Sequence, residues 1–189
     1  MKILVLISSS MKKGAGATLA RSFCDAFPTK KTEIEYVYLY DLNFKSCGDC
    51  DAHSDIEGFC SKRDDLVPVQ QKMLAADLVV WSMPIYMDQI CGTAKTFLDR
   101  FCIFVNPDMT VNRIPEKKFV LFITCGDPEI RHYRHVLKGL ENLLSGFFKC
   151  EVMTSMIASI EMKAIGEFNQ KYIKKAKSLG RKVAKQLFH

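Results

Sequence analysis

The sequence lacks any uninterrupted apolar stretch near the ~20 residues that a membrane-spanning helix requires. Its amino terminus also lacks a credible small-residue cleavage site after the first short apolar run, which argues against a secretory signal peptide. We therefore expect a cytoplasmic protein without a membrane span. The length of 189 residues is within the usual range of one domain, so one domain over residues 1–189 is predicted.

Acidic residues are missing from the last nineteen residues, whereas basic residues are frequent there. Apolar residues recur every three or four positions in this segment, as on one face of an amphipathic helix. Cations also complement the dipole at the carboxyl end of a helix. We interpret the basic run as the solvated face of a helix and predict no nucleic-acid partner. The basic residues are Lys171, Lys174, Lys175, Lys177, Arg181, Lys182 and Lys185.

Apolar runs of strand length alternate with amphipathic segments along the whole chain. This alternation predicts an α/β fold: a single three-layer, doubly wound domain in which helices cover both faces of a five-stranded parallel sheet. The predicted strands are residues 2–8, 34–39, 78–81, 118–124 and 150–158. The predicted helices are residues 19–27, 64–75, a segment ending near residue 101, residues 130–147 and the basic closing segment.

Residues 78–101 carry the strongest local signal. An apolar run predicts a buried strand, residues 82–86 predict a loop that holds Pro84 and Tyr86, and Ala94, Phe97 and Phe101 then share one helix face. Ligands of open α/β sheets bind at the carboxyl ends of strands. The loop offers unpaired backbone groups and a flat ring, which suit a planar heterocycle. The alternative is an ordinary strand–helix connection that holds a proline.

Residues 9–18 form a small, basic, glycine-containing connection before the first helix. Free backbone N–H groups and the helix dipole favour a phosphate at such a position. Gly14 and Gly16 do not fit the GxxxxGK[ST] pattern, and Leu19 occupies the third small position of GxGxxG. A mononucleotide phosphate remains, with a lysine-bearing surface turn as the alternative. Hydroxyl donors and positive charge come from Ser8, Ser9, Ser10, Lys12, Lys13 and Thr18.

Three of the eight cysteines cluster in the polar connection over residues 41–63, where the spacing is Cys47-x2-Cys50-x2-His53-x6-Cys60. Three thiolates and an imidazole suit either zinc or an iron–sulfur cluster. No metal, an iron–sulfur cluster and zinc all stay open at this point. The other cysteines are scattered, as free buried thiols would be. They include Cys24, Cys91, Cys102, Cys125 and Cys150.

These motifs resemble the flavodoxin-like NADPH-dependent FMN reductases, and more narrowly their iron–sulfur flavoprotein branch. The resemblance covers about residues 2–126, although Ala17 stands where the family usually has Asn. It implies a flavodoxin-like strand order of 2-1-3-4-5. The matching segments are residues 8–18, Cys47-x2-Cys50, Asp64-Asp65, Ala76-Asp77, residues 82–86 and residues 91–100.

The resemblance also implies an FMN site made of three segments. The phosphate would be held by Ser9, Ser10, Gly16, Ala17 and Thr18. The isoalloxazine ring would be bordered by Pro84, Ile85, Tyr86 and Met87. The other side would be closed by Thr124, Cys125, Gly126 and Asp127. In the iron–sulfur branch the cysteines carry a [4Fe–4S] cluster, and His53 stands here where the third cysteine would be.

By this resemblance the protein transfers electrons from NAD(P)H, as co-substrate, through FMN to a quinone, another flavin or a small electrophile. That chemistry needs no protein nucleophile, so no catalytic residue is predicted. The alternatives are a non-enzymatic flavin electron-transfer protein, with or without a cluster, and a subunit that has lost flavin. A homodimer or higher homo-oligomer is expected, with residues 101–105 as either interface or core. His132 and His135 are predicted to be surface or interface histidines on one helix face.

Overall fold

The computed structural model describes residues 1–48, 64–106, 110–111, 114, 116–160 and 169–188. Five long strands alternate with five helices in this part of the chain. The strands are β1 (Lys2–Ile7), β2 (Glu33–Tyr38), β3 (Leu78–Tyr86), the two-residue β4 (Gln89–Ile90), β5 (Lys118–Cys125) and β6 (Glu151–Ser159). The helices are α1 (Ala15–Cys24), α2 (Leu66–Ala75), α3 (Gly92–Asp99), α4 (Arg134–Asn142) and α5 (Gln170–Phe188).

The long strands form one parallel sheet in the order β2-β1-β3-β5-β6, and β4 pairs antiparallel with the end of β3. With the short β4 left out of the count, this is the predicted order 2-1-3-4-5. The predicted fold class is therefore confirmed. The central strands are almost entirely apolar because helices remove both faces of the sheet from water.

Two apolar clusters fill the space between the sheet and its helices. One cluster lies under α1 and α5, where Phe23 packs against Phe122. The other lies under α2, α3 and α4, where Trp81 contacts Phe97 and Phe101. Residues 101–105, which we considered as an interface, contribute largely to this second core, because Phe101, Ile103 and Phe104 are buried.

Residues 82–86 were predicted as a loop, and this prediction is wrong because β3 continues to Tyr86. A proline is tolerated there for a simple reason. The last residue pair between β1 and β3 is Ile7–Ser82, so the N–H that Pro84 lacks would have found no strand partner on the β1 side. On the other side, pairing with β5 extends to Pro84–Thr124.

Helix α1 begins at Ala15, four residues before the predicted start, with Gly14 as its amino-terminal cap residue. Gly16, Ala17 and Thr18 therefore belong to the first helical turn and not to a loop. Predicted helix 130–147 is also divided: a 3₁₀ turn (Ile130–Tyr133) precedes α4 and a π-helical turn (Leu143–Phe147) follows it.

Helix α5 has the amphipathic character that the sequence predicts. Ala176, Gly180 and Val183 are buried, whereas the basic residues on the other face are largely exposed. None of the helices in the described ranges combines the length and apolar character needed to cross a bilayer. Among the scattered cysteines, Cys102 differs from the prediction because it is exposed.

Candidate functional site

The carboxyl ends of β1 and β3 are joined directly to the start of α3. The backbone N–H of Ser8 donates to the carbonyl of Ser82 over 2.9 Å. The backbone N–H of Cys91 donates to the carbonyl of Pro84 over 3.0 Å, and its thiol donates to the carbonyl of Ser8 over 3.3 Å. Two of the predicted FMN segments, residues 8–18 and 84–87, therefore emerge at the same edge of the sheet.

The first turn of α1 presents free backbone donors at this edge. Gly14 makes no side-chain capping bond, and the first helical hydrogen bond runs from the N–H of Thr18 to the carbonyl of Gly14 over 3.0 Å. The N–H groups of Ala15, Gly16 and Ala17 consequently have no acceptor within the helix. Such donors, together with the helix dipole, favour a bound anion.

Gly16 lies in close contact with Ser82 of β3. A Cβ atom on residue 16 would be 2.5 Å from the Ser82 hydroxyl oxygen, a distance that real Cβ atoms essentially never show. The Ser82 hydroxyl is buried and has no hydrogen-bond partner among the described residues. An unmet buried hydroxyl is unfavourable. Gly16 therefore allows the first turn of α1 to pack closely against β3, and the free N–H groups of this turn are what fits a phosphate group.

The serine and threonine hydroxyls predicted to bind phosphate are used differently from one another. The Ser8 hydroxyl is buried and accepts a hydrogen bond from the Trp81 indole over 2.9 Å. The Thr18 hydroxyl donates to the Gly14 carbonyl over 3.0 Å. The Ser9 hydroxyl accepts from the N–H of Met11 over 3.2 Å and keeps its own proton for donation. Ser9 and the exposed Ser10 are thus the hydroxyl donors of this connection that remain suited to a phosphate.

Lys12 is engaged with a carboxylate. Its ammonium group lies 2.6 Å from Asp41, and the hydrogen bond and charge of Asp41 raise the pKa of Lys12. The same ammonium group lies over the ring of Tyr38, 5.4 Å from its centre. Lys12 therefore contributes less free positive charge to the anion site than the sequence suggests.

A tight turn at the end of β3 presents two exposed apolar side chains. Tyr86 pairs with Gln89, and the intervening Met87 and Asp88 have φ angles of 48° and 61°. Tyr86 is 61% exposed and Met87 is 98% exposed. Large exposed apolar side chains suit a flat ligand that would cover them. Four of them, in the described residues, follow the carboxyl ends of different strands: Met11, Tyr40, Met87 and Ile160.

The connection after β5 is held by hydrogen bonds to Asp127. One carboxylate oxygen accepts from the N–H of Glu129 over 2.7 Å, and the other lies 3.0 Å from Nδ1 of His132. Both contacts lower the pKa of Asp127. Burial and the charge of Asp127 raise the pKa of the Cys125 thiol, which is therefore kept in its neutral form. Thr124 is also buried, while Gly126 is exposed.

The start of α4 adds residues that the sequence did not identify as part of the site. Nε2 of His135 lies 3.2 Å from the Asp88 carboxylate in the β3–β4 turn. Partial removal from water raises the pKa of Tyr133, and the nearby charges of Asp127 and Asp88 raise it further. The short spacing of Asp127 and His132 in the sequence could have indicated that the two side chains interact. The Asp88–His135 pair joins residues far apart in the sequence, so only the sheet topology could reveal it.

Of the four predicted metal ligands, the structure describes Cys47 alone, as a half-buried free thiol. Cys50, His53 and Cys60 lie outside the described residues. The metal prediction therefore stays a prediction. Within the described ranges, no group of three or more His, Cys, Asp or Glu side chains is arranged to hold a metal ion.

The buried guanidinium of Arg100 joins the two chain segments on either side of this cysteine cluster. It donates to the Asp64 carboxylate over 2.7 and 3.1 Å and to the carbonyl of Lys45 over 2.9 Å. The N–H of Lys45 also donates to Asp64 over 3.2 Å. Partial burial acts to raise the pKa of Asp64, but Arg100 and the backbone donors outweigh it and the pKa is lowered.

A family model described as NADPH-dependent FMN reductase matches residues 1–164 of the chain. The chain belongs to this family. A relative named iron–sulfur flavoprotein, from Archaeoglobus fulgidus, is 35% identical over 102 residues, which cover 53% of this chain and 48% of that protein. The chain thus aligns with about half the length of this relative.

Solved structures share the fold of this FMN reductase family member. A flavone reductase superimposes with a TM-score of 0.72 at 20% identity, covering 100% of this chain and 65% of the other. An NAD(P)H:quinone oxidoreductase from Methanothermobacter marburgensis gives a TM-score of 0.71 at 14% identity, with coverage of 97% and 96%. At these identities the similarity establishes a flavodoxin-like architecture, in agreement with the observed strand order.

Proposed function

We propose that the protein is an FMN-dependent NAD(P)H oxidoreductase that passes electrons to a quinone, another flavin or a small electrophile. The observation that carries the proposal is the first turn of α1, where free N–H groups lie beside Gly16 and the unpartnered Ser82 hydroxyl. Membership of the FMN reductase family supports FMN as the mononucleotide. Its phosphate would be held by the N–H groups of Gly16 and Ala17 and by the hydroxyls of Ser9 and Ser10.

The ring of FMN would lie toward the turn after β3. Pro84, Ile85, Tyr86 and Met87 would border one side of it, and the connection 124–127 would close the other side. The exposure of Tyr86 and Met87 supports this arrangement, since a bound ring would cover both side chains. Ser8 would not bind FMN through its hydroxyl, because that hydroxyl accepts a hydrogen bond from Trp81.

When bound, FMN would supply the electron chemistry, accepting a hydride from the nicotinamide and releasing electrons to the acceptor. The protein itself would bind FMN, orient it and exclude water from it. Cys125 is kept as a neutral thiol, and the nearby Asp127 carboxylate is committed to Glu129 and His132. Neither group is therefore proposed as a nucleophile or proton donor.

Titration of the metal-free apoprotein with FMN, followed by quenching of flavin fluorescence, tests the cofactor assignment. We expect saturable 1:1 binding, and weaker binding of riboflavin because it lacks the phosphate. The proposal is overturned if FMN does not bind, and the phosphate site is overturned if riboflavin binds equally well. Size-exclusion chromatography with light scattering on the same samples tests the expected homodimer.

Anaerobic oxidation of NADPH and NADH by the FMN-loaded protein separates an enzyme from an electron-transfer protein. If the protein is an enzyme, we expect NADPH or NADH alone to bleach the flavin absorbance. A protein that binds FMN but is reduced only by a partner protein would support the non-enzymatic alternative. Iron, sulfide and zinc analysis after anaerobic purification decides separately whether Cys47, Cys50, His53 and Cys60 hold a metal.

A further inference from the structure

The positive charge of the chain is concentrated on one helix. The sequence has 27 Lys and Arg residues and 21 Asp and Glu residues, for a net charge of +6. Helix α5 contains seven of the cations and none of the carboxylates, so the 20 cations and 21 carboxylates that remain give the rest of the chain a net charge of −1. A charge distribution this uneven favours a partner of opposite charge on this side of the domain.

The cations of α5 form one exposed face, opposite the buried Ala176, Gly180 and Val183. At about 3.6 residues per turn, six of the seven fall within about 120° of the helix circumference, and Ser178 is the one uncharged residue in that arc. The face is about 21 Å long at about 1.5 Å per residue. Among the described residues, Asp25 is the carboxylate within ion-pair distance of this helix, 4.0 Å from Lys177. The six cations of the arc are Lys171, Lys174, Lys175, Arg181, Lys182 and Lys185.

This arrangement costs the helix stability. The helix dipole favours a cation in the last turn, where Lys185 lies, but disfavours one in the first turn, where Lys171 lies. Like charges four residues apart also destabilise a helix, and α5 has three such pairs: Lys171–Lys175, Lys177–Arg181 and Arg181–Lys185. A surface of interspersed charges of both signs would be soluble without these costs. Solubility alone therefore does not account for the face, whereas an anionic partner would neutralise it.

The composition of this face favours a lipid surface over a nucleic acid or a protein. Six of the seven cations are lysines, whereas arginine is the residue that pairs two hydrogen bonds with phosphates and at protein interfaces. The arc has no aromatic side chain on which bases could stack, and it lacks the Trp and Tyr anchors typical of protein interfaces. Lysines spread along a straight helix suit a broad, planar array of negative charge, such as the headgroups of anionic lipids.

We propose that α5 is a membrane-surface site that holds the protein on bilayers of anionic lipid. The cations face the headgroups, while the apolar side of the helix stays packed against the sheet through Ala176, Val183 and Ala184, so the helix does not enter the hydrocarbon. The attraction is electrostatic, and each lysine near the surface strengthens binding by a factor of about five. The proposal is independent of the flavin site.

Co-sedimentation of the full chain with vesicles tests the proposal. At ~0.1 M salt we expect binding to vesicles of equal parts phosphatidylcholine and phosphatidylglycerol and none to phosphatidylcholine alone. Binding is expected to be lost at ~1 M salt, where the screening length falls from about 10 Å to about 3 Å. The double variant Lys174→Gln, Lys175→Gln is expected to bind about 25-fold more weakly than wild type.

The matched control is the double variant Lys95→Gln, Lys138→Gln. It removes the same charge from exposed side chains of α3 and α4, which cover the opposite face of the sheet from α5. We expect it to bind vesicles as wild type does, because the location of the charge decides binding and not the net charge of the protein. Thermal unfolding of both double variants separates loss of binding from loss of the fold.

Lysine acetylation of wild-type protein, followed by mass spectrometry with and without vesicles, tests the same surface without a variant. We expect vesicles to protect Lys171, Lys174 and Lys175 and to leave the reaction of Lys95 and Lys138 unchanged.

The proposal is overturned if anionic vesicles do not bind the protein, if the two double variants bind equally weakly, or if protection falls on lysines outside α5. Displacement from vesicles by inorganic phosphate at matched ionic strength would indicate a site for a small anion. Tighter binding to duplex DNA or to polyglutamate than to vesicles, at equal concentrations of negative charge, would indicate a nucleic-acid or protein partner. Either of these results also overturns the proposal.

Discussion

The two sides of the candidate site are held by different kinds of contact. The contacts of α1 and of Arg100 are buried: Gly16 lies against Ser82, and Arg100 is fixed by Asp64. On the β3–β4 and α4 side the contacts are ion pairs between exposed side chains, as in Asp88–His135 and Arg131–Glu129. Buried contacts resist salt and tolerate little substitution, whereas exposed pairs are weak and respond to salt and pH. The proposed phosphate side is therefore rigid, and the proposed ring side is adjustable.

The largest expected effect concerns the buried ion pair. Arg100→Met leaves the Asp64 carboxylate without its partner in a largely buried position, and we expect the free energy of unfolding to fall by about 3–5 kcal/mol. Urea unfolding measures the change. The matched control is Lys72→Met, which removes one partner of the exposed pair with Glu35 and is expected to cost less than about 1 kcal/mol. Equal losses in the two variants would contradict the distinction between buried and exposed ion pairs.

The next effect concerns the contact between α1 and β3. Gly16→Ala places a methyl group against the Ser82 hydroxyl, and we expect a loss of about 1–3 kcal/mol in stability together with weaker FMN binding. Ser82→Ala in the same chain is expected to restore much of the stability, since the Ser82 Cβ lies at an ordinary 3.8 Å from the new methyl group. Gly139→Ala is the control, because nothing lies within 4 Å of the position that the new methyl group would occupy. Absence of rescue in the double variant argues against this contact as the cause.

Acid sensitivity provides a third comparison. Because the pKa of Asp64 is lowered in the folded protein, its charge stabilises the fold above its ordinary value near 3.8, and this stabilisation is lost as the pH falls below that value. We expect Asp64→Asn to cost about 1–2 kcal/mol at pH 7 and to flatten the decline in stability below pH ~4. Urea midpoints from pH 7 to pH 3 measure both. An unchanged acid slope in the variant would mean that other carboxylates dominate.

The smallest effect is the response of the exposed side to salt. At ~1 M salt the screening length is about 3 Å, so we expect the small loss of stability in Arg131→Gln, which breaks the exposed pair with Glu129, to shrink toward zero. The loss of stability in Arg100→Met is expected to persist at the same salt concentration, because a buried pair is screened much less. If salt removes the losses in both variants alike, the buried and exposed contacts do not differ in how strongly salt screens them.

The sequence predicted those features that depend on local pattern. Apolar runs such as residues 2–8 and 118–124 predicted the parallel sheet, because strands covered on both faces need apolar side chains at nearly every position. The amphipathic character of α5 was equally evident from the sequence. The strand order came from the resemblance to a family, and the sheet pairing confirms it.

The remaining features depend on contacts between distant residues. Pro84 indicated a loop by local rules, but β1 ends before it, so the strand continues through it. Gly16 was predicted to lie in the connection before the first helix, whereas it belongs to α1 and lets that helix approach Ser82. Asp41 and Asp88 gave no sign that they would pair with Lys12 and His135, since those pairs exist only once the sheet has formed.

The adjacency of residues 43–45 and 64–65 has a consequence for how this protein can vary. Arg100 donates both to the carbonyl of Lys45 and to the carboxylate of Asp64. The N–H of Asn43 also donates to Asp65 over 2.8 Å. Since the cost of closing a loop grows only slowly with its length, we expect changes of length between these two anchored points to cost the sheet little. We therefore expect variants with substitutions in the cysteine-bearing stretch to keep the flavodoxin-like scaffold unchanged.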